Sequence, residues 1–138
     1  MDQSKEYVKM CNCLEIQDRW VQSKSDGDFF KLISGSQCWY EDSGIELLCD
    51  EIHIFVDVVD LPEDAVIIWL PRQDQLQEMV RPQINKNYGE SISYLHRQFT
   101  EWLKGENPEF ETYEQLWLAF VMQRLHGKKW NGNEWIRE

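Results

Sequence analysis

The sequence predicts an α+β domain, a small and mainly antiparallel sheet packed against three to four helices. Strict apolar alternation, the signature of a half-buried strand, falls in the first half of the chain, most clearly in "EIHIFVDVV" (51–59). Helical spacing dominates the second half, from "QDQLQEM" through "EQLWLAFVMQRLH". The 138 residues fit one domain, and seven Trp supply enough buried area for a firm core.

In chain order, residues 1–22 form the N-terminal helical region. Tyr7, Val8, Cys11, Leu14, Trp20 and Val21 recur at mostly helical spacing, which predicts one helix with a break near Leu14. Residues 28–70 form an acidic strand region. "DFFKLI" (28–33) opens it after the turn residues Asp26-Gly27. Residues 38–40 and 45–49 are further short strands around Asp42-Ser43-Gly44. In "EIHIFVDVV", Ile52, Ile54, Val56 and Val58 share one face, and Glu51, His53, Phe55 and Asp57 share the other. "VIIWL" (66–70) is apolar throughout, which predicts burial on both faces.

Residues 71–126 are the helical region. Pro71 suits the first turn of a helix, Asp74 complements its dipole, Leu76, Met79 and Val80 form its stripe, and Pro82 stops it. A second helix spans 91–104, with Ile92, Leu95, Phe99, Trp102 and Leu103 on one side and Gly105 as its stop. Thr112-Tyr113-Glu114-Gln115 is a capping box that opens a third, ending at His126-Gly127. "LWLAFVM" (116–122) is apolar all round, so this is the helix expected to be buried. In the C-terminal segment 127–138, Asn131-Gly132 between Trp130 and Trp135 predicts a type I′ hairpin.

The net charge of −11 is local. Residues 32–71 contain no Lys or Arg but nine acids: Glu41, Asp42, Glu46, Asp50, Glu51, Asp57, Asp60, Glu63 and Asp64. Such a segment repels a phosphate backbone, so direct nucleic-acid binding is disfavoured. It suits a basic protein surface, including one that ordinarily holds nucleic acid. A solvated face that confers solubility is the plainer explanation of the same residues.

Other chemistry is sparse. Cys11, Cys13, Cys38 and Cys49 lack the paired knuckles of a thiolate zinc site, and free thiols are the simpler reading. No cofactor is expected. His53, between Glu51 and Asp57 on one strand face and downstream of Cys49, is the best catalytic constellation, yet its acidic neighbours would raise the thiol pKa. His96 and His126 sit on helix flanks and ends. Trp130 and Trp135 beside Lys128 and Lys129 could stack bases, and closing the hairpin is the competing role. "MDQSKEYVKM" has no apolar signal core, and no run reaches the ~18 apolar residues of a membrane helix, so a cytoplasmic setting is expected.

"YVKMCNCLEIQDRW" followed by "GDFF", then "WLPRQDQLQEM", then "EQLWLAFVMQRLHGKKWNGNEW", resembles a family of small uncharacterised proteins encoded by phages and prophages of Gram-positive bacteria. Residues 32–65 and 83–110 fall outside the resemblance. It implies the bacterial cytoplasm as setting and a small accessory or host-interacting role in place of a metabolic enzyme. The expected function is non-enzymatic: the acidic segment docks on a basic host protein and inhibits a nucleic-acid-binding or defence factor by charge mimicry. A self-associating assembly accessory is the alternative, and an enzyme built on His53 and Cys49 is the third.

Overall fold

Ser4 starts the first helix by accepting the Tyr7 N–H at 3.1 Å through its hydroxyl. That helix, α1 (Lys5–Cys11), stops at Asn12, whose φ of −78° and ψ of 65° describe an inverse γ-turn closed by Cys13 N–H on Cys11 O at 2.8 Å. The chain then re-enters a helix as α2 (Leu14–Ser23). The break falls where the sequence suggested, but its consequence is larger than periodicity implies. Ile16 and Trp20 turn inward at 0% and 2% exposure, while Leu14 and Val21 are left 75% and 70% exposed. The turn interrupts the helical phase, so the apolar stripe expected along one helix is split in two.

The computed structural model describes residues 1–23, 25, 27–34, 51–55, 66–81, 87–105 and 109–138. It divides into two compact units, Gln3–Pro71 and Met1–Asp2 with Arg72–Glu138. The architecture is α+β: five helices, a three-stranded antiparallel sheet and a two-stranded hairpin among the described residues.

In the first unit the sheet comprises β1 (Phe29–Ser34), β2 (Ile52–Ile54) and β3 (Val66–Leu70), in the order β2-β1-β3. Phe30 pairs with His53 on one side and Trp69 on the other. Alternation therefore puts Phe30, Leu32, His53, Ile67 and Trp69 on one face. Trp20 of α2 covers that face, its ring 5.9 Å from Phe30, 5.7 Å from Phe55 and stacked 6.5 Å from Trp69. Ile68, Trp69 and Leu70 are consecutive and all buried, so the end of β3 is covered on both faces, as its unbroken apolar run predicts. Along β2 the inward position is the aromatic one: Phe55 is buried and Ile54 is 53% exposed. A bulge at Ile33 separates the Leu32–Ile67 and Ser34–Val66 pairs. The strands expected at 38–40 and 45–49, and residues 56–59 of the long strand, lie outside the described residues.

Polar side chains at long range fasten this unit. Because Phe30 and Trp69 are opposed with the main-chain groups of Trp69 turned away from β1, those groups face the outer edge of the sheet. The carboxamide of Gln17 takes both: Trp69 N–H donates to Oε1 at 2.8 Å, and Nε2 donates to Trp69 O at 3.1 Å. Nε2 also reaches Cys11 O at 2.8 Å, closing the end of α1. Tyr7 donates its hydroxyl to Pro71 O at 2.6 Å, just past β3. Asp28, 1% exposed, accepts the Trp20 indole N–H and the Ser25 N–H, each at 2.9 Å. The Trp69 indole N–H is buried with no hydrogen-bond partner among the described residues, an arrangement that costs about 1–3 kcal/mol where it is left unmet.

The second unit is helical. In α3 (Gln73–Val80) Gln75 Oε1 accepts Arg72 N–H at 2.9 Å, and Leu76 is fully buried. Pro71 stands just outside the helix and not in its first turn. α4 (Tyr88–Gly105) begins three residues earlier than the sequence suggested, because Asn87 Oδ1 accepts Glu90 N–H at 2.9 Å. α5 (Tyr113–His126) is the buried helix, with residues 117–122 all buried. Thr112 Oγ1 accepts Gln115 N–H at 3.2 Å, but Gln115 reaches back to Glu111 N–H and not to Thr112, so the capping box is shifted by one residue on one side. Gly127 ends the helix at φ 61°, in the left-handed region that glycine enters at least cost. α3 packs on α5, and α4 joins it through Phe99, stacked on Trp117 with ring centroids 3.9 Å apart. Trp102 and Phe120 meet edge to face at its side, and the Trp102 indole N–H donates to Gln123 Oε1.

Replacing Gln17 by Ala strips the edge of β3 of both partners in a part-buried setting. A loss of roughly 2–4 kcal/mol is expected, measured by urea unfolding followed through tryptophan fluorescence. At the end of α3, the Arg81 guanidinium donates to Glu78 at 2.6 Å and holds that carboxyl below its ordinary value, chiefly through the side-chain hydrogen bond. The folded-state value being depressed, the pair's contribution is present above the unfolded carboxyl pKa and lost as pH falls through the lowered one. Glu78→Gln should therefore lower stability slightly at pH 7 and flatten its acid-side decline, read from denaturant midpoints between pH 7 and pH ~3.

Candidate functional site

The acidic segment is attached to the three-stranded sheet at defined points. β1 ends at Ser34, which pairs with Val66, the first residue of β3. Glu51 precedes β2, and its carbonyl accepts Leu32 N–H at 3.1 Å. Ser34, Glu51 and Val66 thus share one end of the sheet. Phe55 is at the other end, where its N–H donates to Asp28 O at 2.7 Å and its carbonyl accepts Gly27 N–H at 2.8 Å. Gly27 has φ 89°, which lets the chain turn tightly into β1 beside the buried Asp28 carboxylate.

Of the nine acids assigned to the contact face, Glu51 is described, and it is exposed. Glu41, Asp42, Glu46, Asp50, Asp57, Asp60, Glu63 and Asp64 lie outside the described residues. The described residues that flank them in sequence are Ser34, Glu51, Phe55 and Val66.

The other candidates divide plainly. His53 is part-buried and lies against Phe30, ring centroids 5.7 Å apart, while Cys49 lies outside the described residues. Cys11 is buried at the end of α1 and Cys13 is part-buried just before α2. His96 is exposed on α4 with its ring edge-on to Trp117, and His126 occupies the last turn of α5, where a cation complements the dipole. Among the described residues no group of three or more His, Cys, Asp or Glu is placed to hold a metal ion. Nor, among them, is any helix long and apolar enough to cross a membrane.

The C-terminal hairpin joins β4 (Lys128–Trp130) to β5 (Trp135–Arg137), with Trp130 opposite Trp135. Asn131-Gly132 does not make a two-residue I′ turn. Asn131 N–H closes on Glu134 O at 3.2 Å, and Asn131 Oδ1 accepts the N–H groups of Asn133 and Glu134, both at 2.8 Å. The side chain thus organises a four-residue loop, with Gly132 at φ 94°. The indoles of Trp130 and Trp135 lie 5.0 Å apart and are part-buried, neither fully in the core nor open to solvent.

Compared with protein-family models, curated proteins and solved structures, the chain matches none. Sequence reasoning passed over the three polar side chains that organise the units, Asp2, Gln17 and Asp28. Only Asp28 had a signal, its place after a glycine turn, and for the others no local pattern announces a partner so distant in sequence.

The hairpin yields one expectation. Trp130→Ala should cost about 0.5–1.5 kcal/mol of hairpin stability, seen as raised amide exchange in residues 128–137, with the rest of the chain unchanged.

Proposed function

We propose that this chain is a non-enzymatic interaction protein of phage or prophage origin that works in the cytoplasm of a bacterial host. Its acidic segment, residues 41–64, docks on a basic groove of a host nucleic-acid-binding or defence protein and competes with nucleic acid for it. One observation carries the reading: residues 32–71 hold nine acids and no Lys or Arg. Carboxylates attached to a folded scaffold can offer a cationic groove the charge it normally takes from phosphates, with less ordering entropy than a free acidic tail would lose. Further support comes from the strand ends: Ser34, Glu51 and Val66 share one end of the sheet, and Asp50, Glu51, Glu63 and Asp64 are within three residues of those anchors in sequence. The resemblance to small phage proteins supports the setting.

The test is capture from host lysate with the tagged full-length chain, eluted by a rising salt gradient. Contacts between exposed charges are screened over about 8 Å at physiological ionic strength, so the partner should elute early in the gradient. The double variant Asp57→Lys and Asp60→Lys should weaken capture by about tenfold or more while leaving the unfolding transition in place. Undiminished capture by that variant would reject charge mimicry. A salt-insensitive oligomer in size-exclusion chromatography would favour the assembly accessory instead.

A further inference from the structure

The C-terminal hairpin carries a surface that the acidic segment does not use. Trp130 of β4 is opposite Trp135 of β5, and Lys128 is opposite Arg137. Glu138 N–H donates to Gly127 O at 3.1 Å and Asn131 N–H to Glu134 O at 3.2 Å, which makes the pairs on either side the hydrogen-bonded ones. The Trp130–Trp135 and Lys128–Arg137 pairs are therefore the non-hydrogen-bonded kind, whose side chains approach most closely. Alternation puts all four residues on one face. The indoles are 5.0 Å apart and part-buried, which leaves a portion of each accessible, and Arg137 is exposed. Packing alone accounts for the Trp pair, since it closes the hairpin. It does not account for the cations beside it. Directly opposed like charges destabilise a ladder, and an anion seated across them turns that repulsion into attraction. The local charge agrees: residues 124–137 hold four Lys or Arg and one acid, Glu134, in a chain of net charge −11. We propose that this hairpin face binds single-stranded nucleic acid, with bases stacked on Trp130 and Trp135 and backbone phosphates drawn to Lys128 and Arg137. A single strand offers planar rings and anions side by side, where an acidic peptide offers only the anions. A duplex keeps its base faces stacked inside and denies them to the indoles. The nine acids of residues 32–71 belong to the other unit, and this binding does not depend on their docking role.

The experiment follows the fluorescence anisotropy of labelled oligo(dT) and oligo(U), each about 20 nucleotides long, as full-length protein is added at low salt. Binding of either strand is expected, and the tighter of the two identifies DNA or RNA as the source. A duplex of the same length should bind about tenfold more weakly or worse, and Trp135→Ala should weaken single-strand binding by about tenfold. A loosened hairpin would produce the second loss as well, so Arg137→Gln separates the two causes. Removing one of the opposed cations should leave hydrogen exchange in residues 128–137 as slow as in the wild type or slower. In the same variant the slope of log affinity against log salt should fall by about 0.7, the share of one phosphate contact on a single strand. No binding of either strand overturns the proposal. So does a duplex bound as tightly, or an Arg137→Gln variant with the affinity and salt slope of the wild type.

Discussion

A single carboxamide governs the first unit. β3 is buried on both faces at its C-terminal end, yet among the described residues only β1 pairs with it, so the main-chain groups of Trp69 have no ladder on their outer side. Leaving a buried N–H and C=O unmet costs about as much as several methylenes of hydrophobic burial recover. Gln17 answers with one donor and one acceptor, spaced as a neighbouring peptide group would present them. That two-point contact fixes the rotation of α2 against β3. With α2 so turned, Trp20 covers Phe30 and Trp69, and its indole N–H meets Asp28. Asp28 in turn shapes the Ser25–Asp28 turn that delivers the chain into β1. The same Gln17 also ends α1 through Cys11 O, which makes the break at Asn12 part of the device.

Seen this way, the pattern of what was legible has a physical logic. Properties that depend on neighbours in sequence were legible: the Thr112 cap, the Gly127 stop, the all-round burial of the centre of α5, and the two-faced burial of the last three residues of "VIIWL", though Val66 at its start is exposed. Properties that depend on a partner far along the chain were not. Leu14 and Val21 satisfy a helical stripe as well as Tyr7 and Cys11 do, and only the γ-turn at Asn12, with no Gly or Pro to signal it, leaves them in solvent. Asn131-Gly132 carries the chemistry of a tight turn, but the Asn131 side chain accepts two amides and supports a longer loop. For the candidate site the balance is reversed. Its charge is wholly legible in the sequence, whereas of its geometry only Glu51 and the framing strand ends are described.

Charge is handled differently in the two parts of the chain, and that difference bears on function. Residues 72–138 hold nine bases and ten acids, with short-range pairs such as Arg81 with Glu78 and Lys104 with Glu101. Exposed pairs of this sort contribute little stability, but they leave no strong field. Residues 32–71 have no cation with which to form such a pair. Any neutralisation has to come from residues beyond the segment, from counterions, or from another molecule.

Nine like charges in forty residues also bear a self-repulsion that folding must overcome, and a sequence selected only for solubility gains as much from mixed charge. Solubility asks for net charge anywhere on the surface. A cationic groove asks for anions together, with few competing cations close by. Segregation of charge, more than its total, is therefore the feature that separates the two explanations, and in this sequence the whole segment 32–71 obeys it without exception. On the proposed docking role, strand ends held by ladder pairing are already ordered before a partner binds. On the proposed reading the three strands serve as a mount, and the Gln17 contact that keeps β3 in place is what keeps the mount rigid.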